Sequence, residues 1–116
     1  MLLPGPAKKV TIHLNDDTTA GADFLYREIF SFLLDRGVAG ATLTRAQAGF
    51  GTHHRTHAVG AAGATGEHLP IRIEFVDTPE RVDALLRPLC DLVTDGLVEW
   101  HDTVIVKASA AGRRDS

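Results

Sequence analysis

The chain holds one cysteine, one tryptophan, one tyrosine and one methionine, no long apolar run and no excess of basic residues. Each shortage excludes something. Cys90 has no second cysteine to join, so no internal disulfide forms, and a lone thiol fits a reducing compartment. No stretch approaches the ~20 consecutive apolar residues of a membrane span. The opening from Met1 to Ala7 lacks the length and the basic start of a secretory signal. A cytoplasmic chain without direct membrane insertion is the expectation. Lys and Arg number 12 against 15 Asp and Glu, a net charge of −3 with histidine neutral, and without a basic block nucleic acid is not an expected partner. What remains is 116 residues, 44% apolar and 23% charged, enough for one domain with a packed core.

From Lys8 to Leu14, Val10, Ile12 and Leu14 alternate with Thr11 and His13, the period of a half-buried strand. The polar run Asn15 to Thr19 offers a helix cap. Phe24, Leu25, Ile29, Phe32 and Leu33 then recur at helical spacing until Gly37 stops them. Ala41 to Phe50 carries little charge and reads as a second strand. Leu69 to Asp77 sets Ile71, Ile73 and Phe75 against Arg72, Glu74 and Val76, a third strand. Thr78, Pro79 and Glu80 start a second helix, whose stripe Val82, Leu85, Leu86, Leu89 and Val93 runs to Gly96. Pro88 inside it predicts a bend near Leu85. Val98, Trp100, Val104 and Val106 make a last strand, with a bulge expected around His101 to Thr103.

The order βαββαβ predicts an α+β, ferredoxin-like plait: an antiparallel four-stranded sheet with two helices on one face. Residues 1–7 are expected as an N-terminal extension, 8–107 as the domain and 108–116 as a disordered tail. The uncovered sheet face then displays Thr11, His13, Arg72, Glu74 and Val76, which suits either a solvated surface or the centre of an oligomer. Trp100 is expected in the core. Cys90, beside the apolar stripe of the second helix, is expected to be a buried, inert thiol.

Between the second and third strands lie residues 51–68, 18 residues without a helical or strand period, longer than compact domains usually contain. The segment opens GlyThrHisHisArgThrHis, continues almost wholly in Gly and Ala, and holds four of the six histidines. A Gly and Ala tract has a large ordering entropy and little apolar area to offset it, so order is expected only with a ligand or partner. Three chemistries can use it. His53, His54 and His57 have a spacing that neutral imidazoles use for a divalent metal such as zinc or copper. Gly49 and Gly51 let backbone amides approach an anion, with Arg45, Arg55 and protonated histidines supplying charge; the Walker lysine and Ser or Thr are missing. A histidine general base is the third, but no nucleophile or paired carboxylates accompany it, so no enzyme is expected.

The run GlyAlaThrLeuThrArgAlaGlnAlaGlyPheGlyThrHisHisArgThrHis from Gly40 to His57, followed by LeuProIleArgIleGluPheValAspThrProGluArgVal from Leu69, resembles domain of unknown function family 190, grouped with PII-like signalling proteins. The resemblance covers about residues 8–107. It implies a homotrimer with open sheet faces turned inward, adenine nucleotide bound in clefts between subunits, and a long loop, here 51–68, that docks on a protein partner. By it Arg45, Gln47, Gly49, Phe50 and Gly51 stand at the loop root and His53, Arg55 and His57 in its first turn. PII proteins carry a second glycine-rich, lysine-bearing loop before the last strand, where this chain has only Asp95, Gly96 and Leu97; the family pattern also has glycine where Ala46 stands. Both departures point away from ATP held in the PII manner and toward AMP, ADP, a cyclic nucleotide or another anion. CutA proteins, trimeric plaits that also lack the second loop, are the alternative, with the loop histidines as metal ligands.

Overall fold

A computed structural model describes residues 2–49, 57–58 and 69–109. In chain order the elements are β1 (Gly5–Asn15), β2 (Thr19–Ala20), β3 (Asp23–Phe24), α1 (Leu25–Asp35), β4 (Thr42–Arg45), β5 (Ala48–Gly49), β6 (His57–Ala58), β7 (Pro70–Asp77), α2 (Pro79–Leu92) and β8 (Leu97–Ile105). Four of the strands form one antiparallel sheet in the order β4-β7-β1-β8. Val10, Ile12 and Leu14 of β1 and Ile71, Ile73 and Phe75 of β7 point to one side of it. There they meet Leu25, Ile29 and Leu33 of α1 and Val82, Leu85 and Leu89 of α2. The period of two in the strands and of three to four in the helices places these twelve side chains in a single core. The expected α+β plait, with both helices on one sheet face, is the fold.

The helix ends follow from local chemistry. Thr78 caps α2, its hydroxyl accepting from the backbone N–H of Arg81 at 3.3 Å, with Pro79 in the first turn. Gly37 ends α1 at φ +75°, donating to the Leu34 carbonyl while Val38 donates to Leu33, the paired bonds of a left-handed helix stop.

Several expectations are corrected. The run Asn15 to Thr19 does not cap α1, whose N-cap is Phe24 without a side-chain bond. Instead a small hairpin, β2 with β3, delivers the chain to the helix. β1 starts at Gly5, so Gly5 to Ala7, expected in an extension, pair with Thr103 to Ile105. Pro6 is tolerated because β1 has a strand on one side only at that point. The second strand is interrupted at Ala46 and Gln47. β8 pairs with β1 one to one from Leu97 to Ile105, so the bulge at His101 to Thr103 is absent.

Trp100 lies on the helix side of β8 but at the sheet edge, 44% exposed, with the Lys8 ammonium 3.9 Å from its ring centroid and bonded to Asp83 at 3.0 Å. Cys90 is exposed, not buried. It falls outside the Val82, Leu85, Leu89 stripe that faces the sheet. Most of residues 51–68 and residues 110–116 of the tail lie outside the described residues.

Candidate functional site

The end of the sheet where β1 and β4 finish and β7 begins gathers the residues read as a loop root. Arg45 is the last residue of β4, Gln47 is exposed beyond it, and Gly49 of β5 pairs with His57 of β6 while Ala48 pairs with Ala58. That ladder brings together the two ends of the run from Gly49 to His57. A sequence reading without strand period in 51–68 misses it, because a two-residue ladder has no period to show. Phe50, Gly51, His53, His54 and Arg55 lie outside the described residues. Among the described residues no group of three or more His, Cys, Asp or Glu is arranged to hold a metal ion.

The residue that organises this corner is Asp16, which the sequence reading places in a capping cluster. Its Oδ2 accepts from Arg45 Nη1 at 2.5 Å and its Oδ1 accepts from the backbone N–H of Leu69 at 3.2 Å. Its own N–H donates to the Leu69 carbonyl at 2.9 Å, and Ala46 N–H donates to the Pro70 carbonyl at 2.9 Å. The Asp16 side chain is 11% exposed and that of Arg45 is 50% exposed. One carboxylate therefore spans the strand entering the excursion and the strand leaving it. The available signal was its place directly after an alternating strand, in a cluster of two aspartates.

The open sheet face is a second candidate surface. Strand register puts Arg72, His13 and Leu97 in one row, Glu74, Thr11 and Glu99 in the next, and Val76, Lys9 and His101 in the third. Thr11, His13, Arg72, Glu74 and Val76 thus share this face as expected. His13 Nε2 lies 2.5 Å from Glu99 Oε2, and Lys9 Nζ is 3.4 Å from Glu74 Oε2. Thr11 donates to Glu74 at 3.3 Å. Desolvation pushes the Glu74 carboxyl upward, but the bond and charge of Lys9, the charge of Arg72 and the Thr11 hydroxyl outweigh it and hold the group below its ordinary range. Acid and base are matched across the rows, and Thr11 is only 6% exposed at their centre.

A four-stranded antiparallel sheet with two helices on one face and a long excursion between its β4 and β7 strands defines a ferredoxin-type fold of the PII-like kind. CPII from Thiomonas intermedia K12, in a structure bound to ADP and bicarbonate, is similar at 22% identity over 92% of this chain and 95% of that chain, with a TM-score of 0.61. A PII-like signalling protein from Thermus thermophilus matches with a TM-score of 0.66 at 19% identity over 90% and 94%. CPII with ADP, AMP and bicarbonate, described as a nitrogen regulatory PII-like protein, matches at 24% identity over 90% and 99% with a TM-score of 0.61. At such identities the likeness is one of fold. The chain itself belongs to the DUF190 family, described as an uncharacterised ACR family, whose profile matches residues 7–105. No helix among the described residues is long and apolar enough to cross a membrane.

Proposed function

We propose that this chain is a non-enzymatic, cytoplasmic regulatory protein of PII-like type, built as a homotrimer, that takes up a small anion in clefts between copies. An adenine nucleotide such as ADP or AMP is the favoured ligand. Residues 51–68 then contact a protein partner, and the ligated and free forms differ in affinity for it. The observation that carries the reading is Arg45, half exposed at the root of the excursion, shortly before the strand residue Gly49 that pairs with His57. A guanidinium there offers charge-assisted bonds to a phosphate or carboxylate oxygen. Supporting it, the CPII structures of similar fold were obtained with ADP, AMP and bicarbonate. Gln47, Gly49, Phe50, Gly51, His53, Arg55 and His57 complete the proposed site.

Calorimetry with ADP, AMP and bicarbonate on the full chain tests the reading. Binding of at least one nucleotide is expected, and Arg45→Ala should weaken it by about 1.5 to 3 kcal/mol, the cost of a lost charge-assisted bond. A folded chain that gives no heat with any of the three rules the reading out. Affinity unchanged in Arg45→Ala removes Arg45 from the site.

A further inference from the structure

We propose that Asp16 is the resident counter-charge of the anion site, which a ligand must displace from Arg45, and that the same carboxylate carries the exchange to Leu69. The inference rests on the reading of Arg45 as an anion-binding residue and deepens it. Its starting point is an asymmetry within one ion pair. Asp16 has a short side chain, is largely buried, and is fixed from both ends, by Oδ1 on the Leu69 amide and by its own N–H on the Leu69 carbonyl. Arg45 is long, half exposed, and among the described residues has Asp16 as its ion-pair partner through one Nη1. When a competing anion arrives, the arginine is the partner free to turn, and the aspartate stays.

The electrostatics follow. A neutralised Arg45 attracts an approaching phosphate less than a bare guanidinium does, and the carboxylate a few ångströms behind it repels the same phosphate. Asp16 thus lowers affinity and favours ligands with enough negative charge to win the exchange, phosphates over a single carboxylate. Once Arg45 has turned, the Asp16 carboxylate has lost its cation while remaining largely out of water. A buried anion without its counter-charge leans harder on its remaining donor, the Leu69 N–H. Occupancy at the end of β4 is thereby felt at the start of β7, through one side chain and without a rearranged core.

The test compares wild type with Asp16→Asn, in which the amide oxygen still accepts from Leu69 and only the negative charge is gone. ADP binding is followed by calorimetry, and exchange of the Leu69 amide by NMR. The expected result is about tenfold tighter ADP binding in Asp16→Asn, equivalent to ~1.4 kcal/mol. In the wild type, ADP should slow Leu69 amide exchange and shift the Asp16 carboxyl carbon resonance; in Asp16→Asn the slowing should be lost. The wild-type resonance keeps the proposal testable if the variant folds poorly, since an unmoved Asp16 carboxyl at ADP saturation overturns it. ADP affinity in folded Asp16→Asn that is equal or weaker overturns it too, leaving Arg45 as the anion ligand if Arg45→Ala still weakens binding. Where AMP rather than ADP binds the wild type, the same comparison is read with AMP; no binding of ADP, AMP or bicarbonate by wild type or Asp16→Asn overturns the proposal together with the reading beneath it.

Discussion

Glu74 sits in the middle row of the open face with Lys9 and Arg72 on either side, and its depressed pKa links this charge pattern to stability. A carboxyl whose folded pKa lies below its unfolded value, about 4.3 for glutamate, contributes stability above that value and loses it as pH falls through the folded one. Because the side chain is partly solvated, the contribution is of surface-pair size, ~0.2–1 kcal/mol. Thermal midpoints of wild type and Glu74→Gln should therefore differ most near neutral pH and converge as the pH falls below the unfolded value and through the lower folded one. A constant gap at all pH values would show that Glu74 acts through packing alone. Arg72, Glu74 and Val76 were legible in the sequence because β7 alternates without interruption. Asp16 was not, since its role depends on Arg45, 29 residues on, and on Leu69, 53 residues on, meeting at the same corner. Trp100 misled for a related reason: alternation gives the side a residue faces, and only the sheet order shows that β8 is an edge strand, where a side chain on the helix side is left partly exposed.

At the scale of elements, the turn between α2 and β8 is where a single methyl group decides the packing. A Cβ placed on Gly96 meets the His13 carbonyl oxygen at 2.5 Å and Val93 Cγ1 at 3.2 Å. The oxygen belongs to β1, held in the sheet from both sides, so it cannot retreat. Gly96→Ala should destabilise the chain by about 1–3 kcal/mol through overpacking, read as a lower urea midpoint with an unchanged slope. A midpoint within experimental error of wild type would mean that the turn relaxes freely. The sequence reading took Gly96 as the stop of an apolar stripe, which located the turn correctly but carried no information about the strand it presses on. Long elements with a clean period, β7 and α2, were read nearly to their ends for the converse reason: each repeats its own signal. The two-residue ladders β2 with β3 and β5 with β6 repeat nothing and emerged only in three dimensions.

For the whole molecule, the open face raises the question of what covers it. Its rows place Glu74 and Glu99 between Arg72 with His13 on one side and Lys9 with His101 on the other. Alternating rows of this kind favour one register of a facing surface more than they add raw affinity. Leu97 stands at the edge of this face, 54% exposed, beside His13. Within one chain it touches little that a lysine cannot also satisfy, so Leu97→Lys should leave the fold intact. In the proposed trimer, with open faces turned inward, a lysine there would bring like charges onto the covered face, where desolvation is costly. Light scattering on the wild type is expected to give the mass of three chains, and on Leu97→Lys the mass of one, with far-ultraviolet dichroism unchanged. The emission of Trp100, on the helix side of the sheet, serves as the internal control, because it should stay constant while the mass falls. A wild type that scatters as a single chain removes the trimer. A Leu97→Lys variant that keeps the wild-type mass places the contact between copies on some other surface.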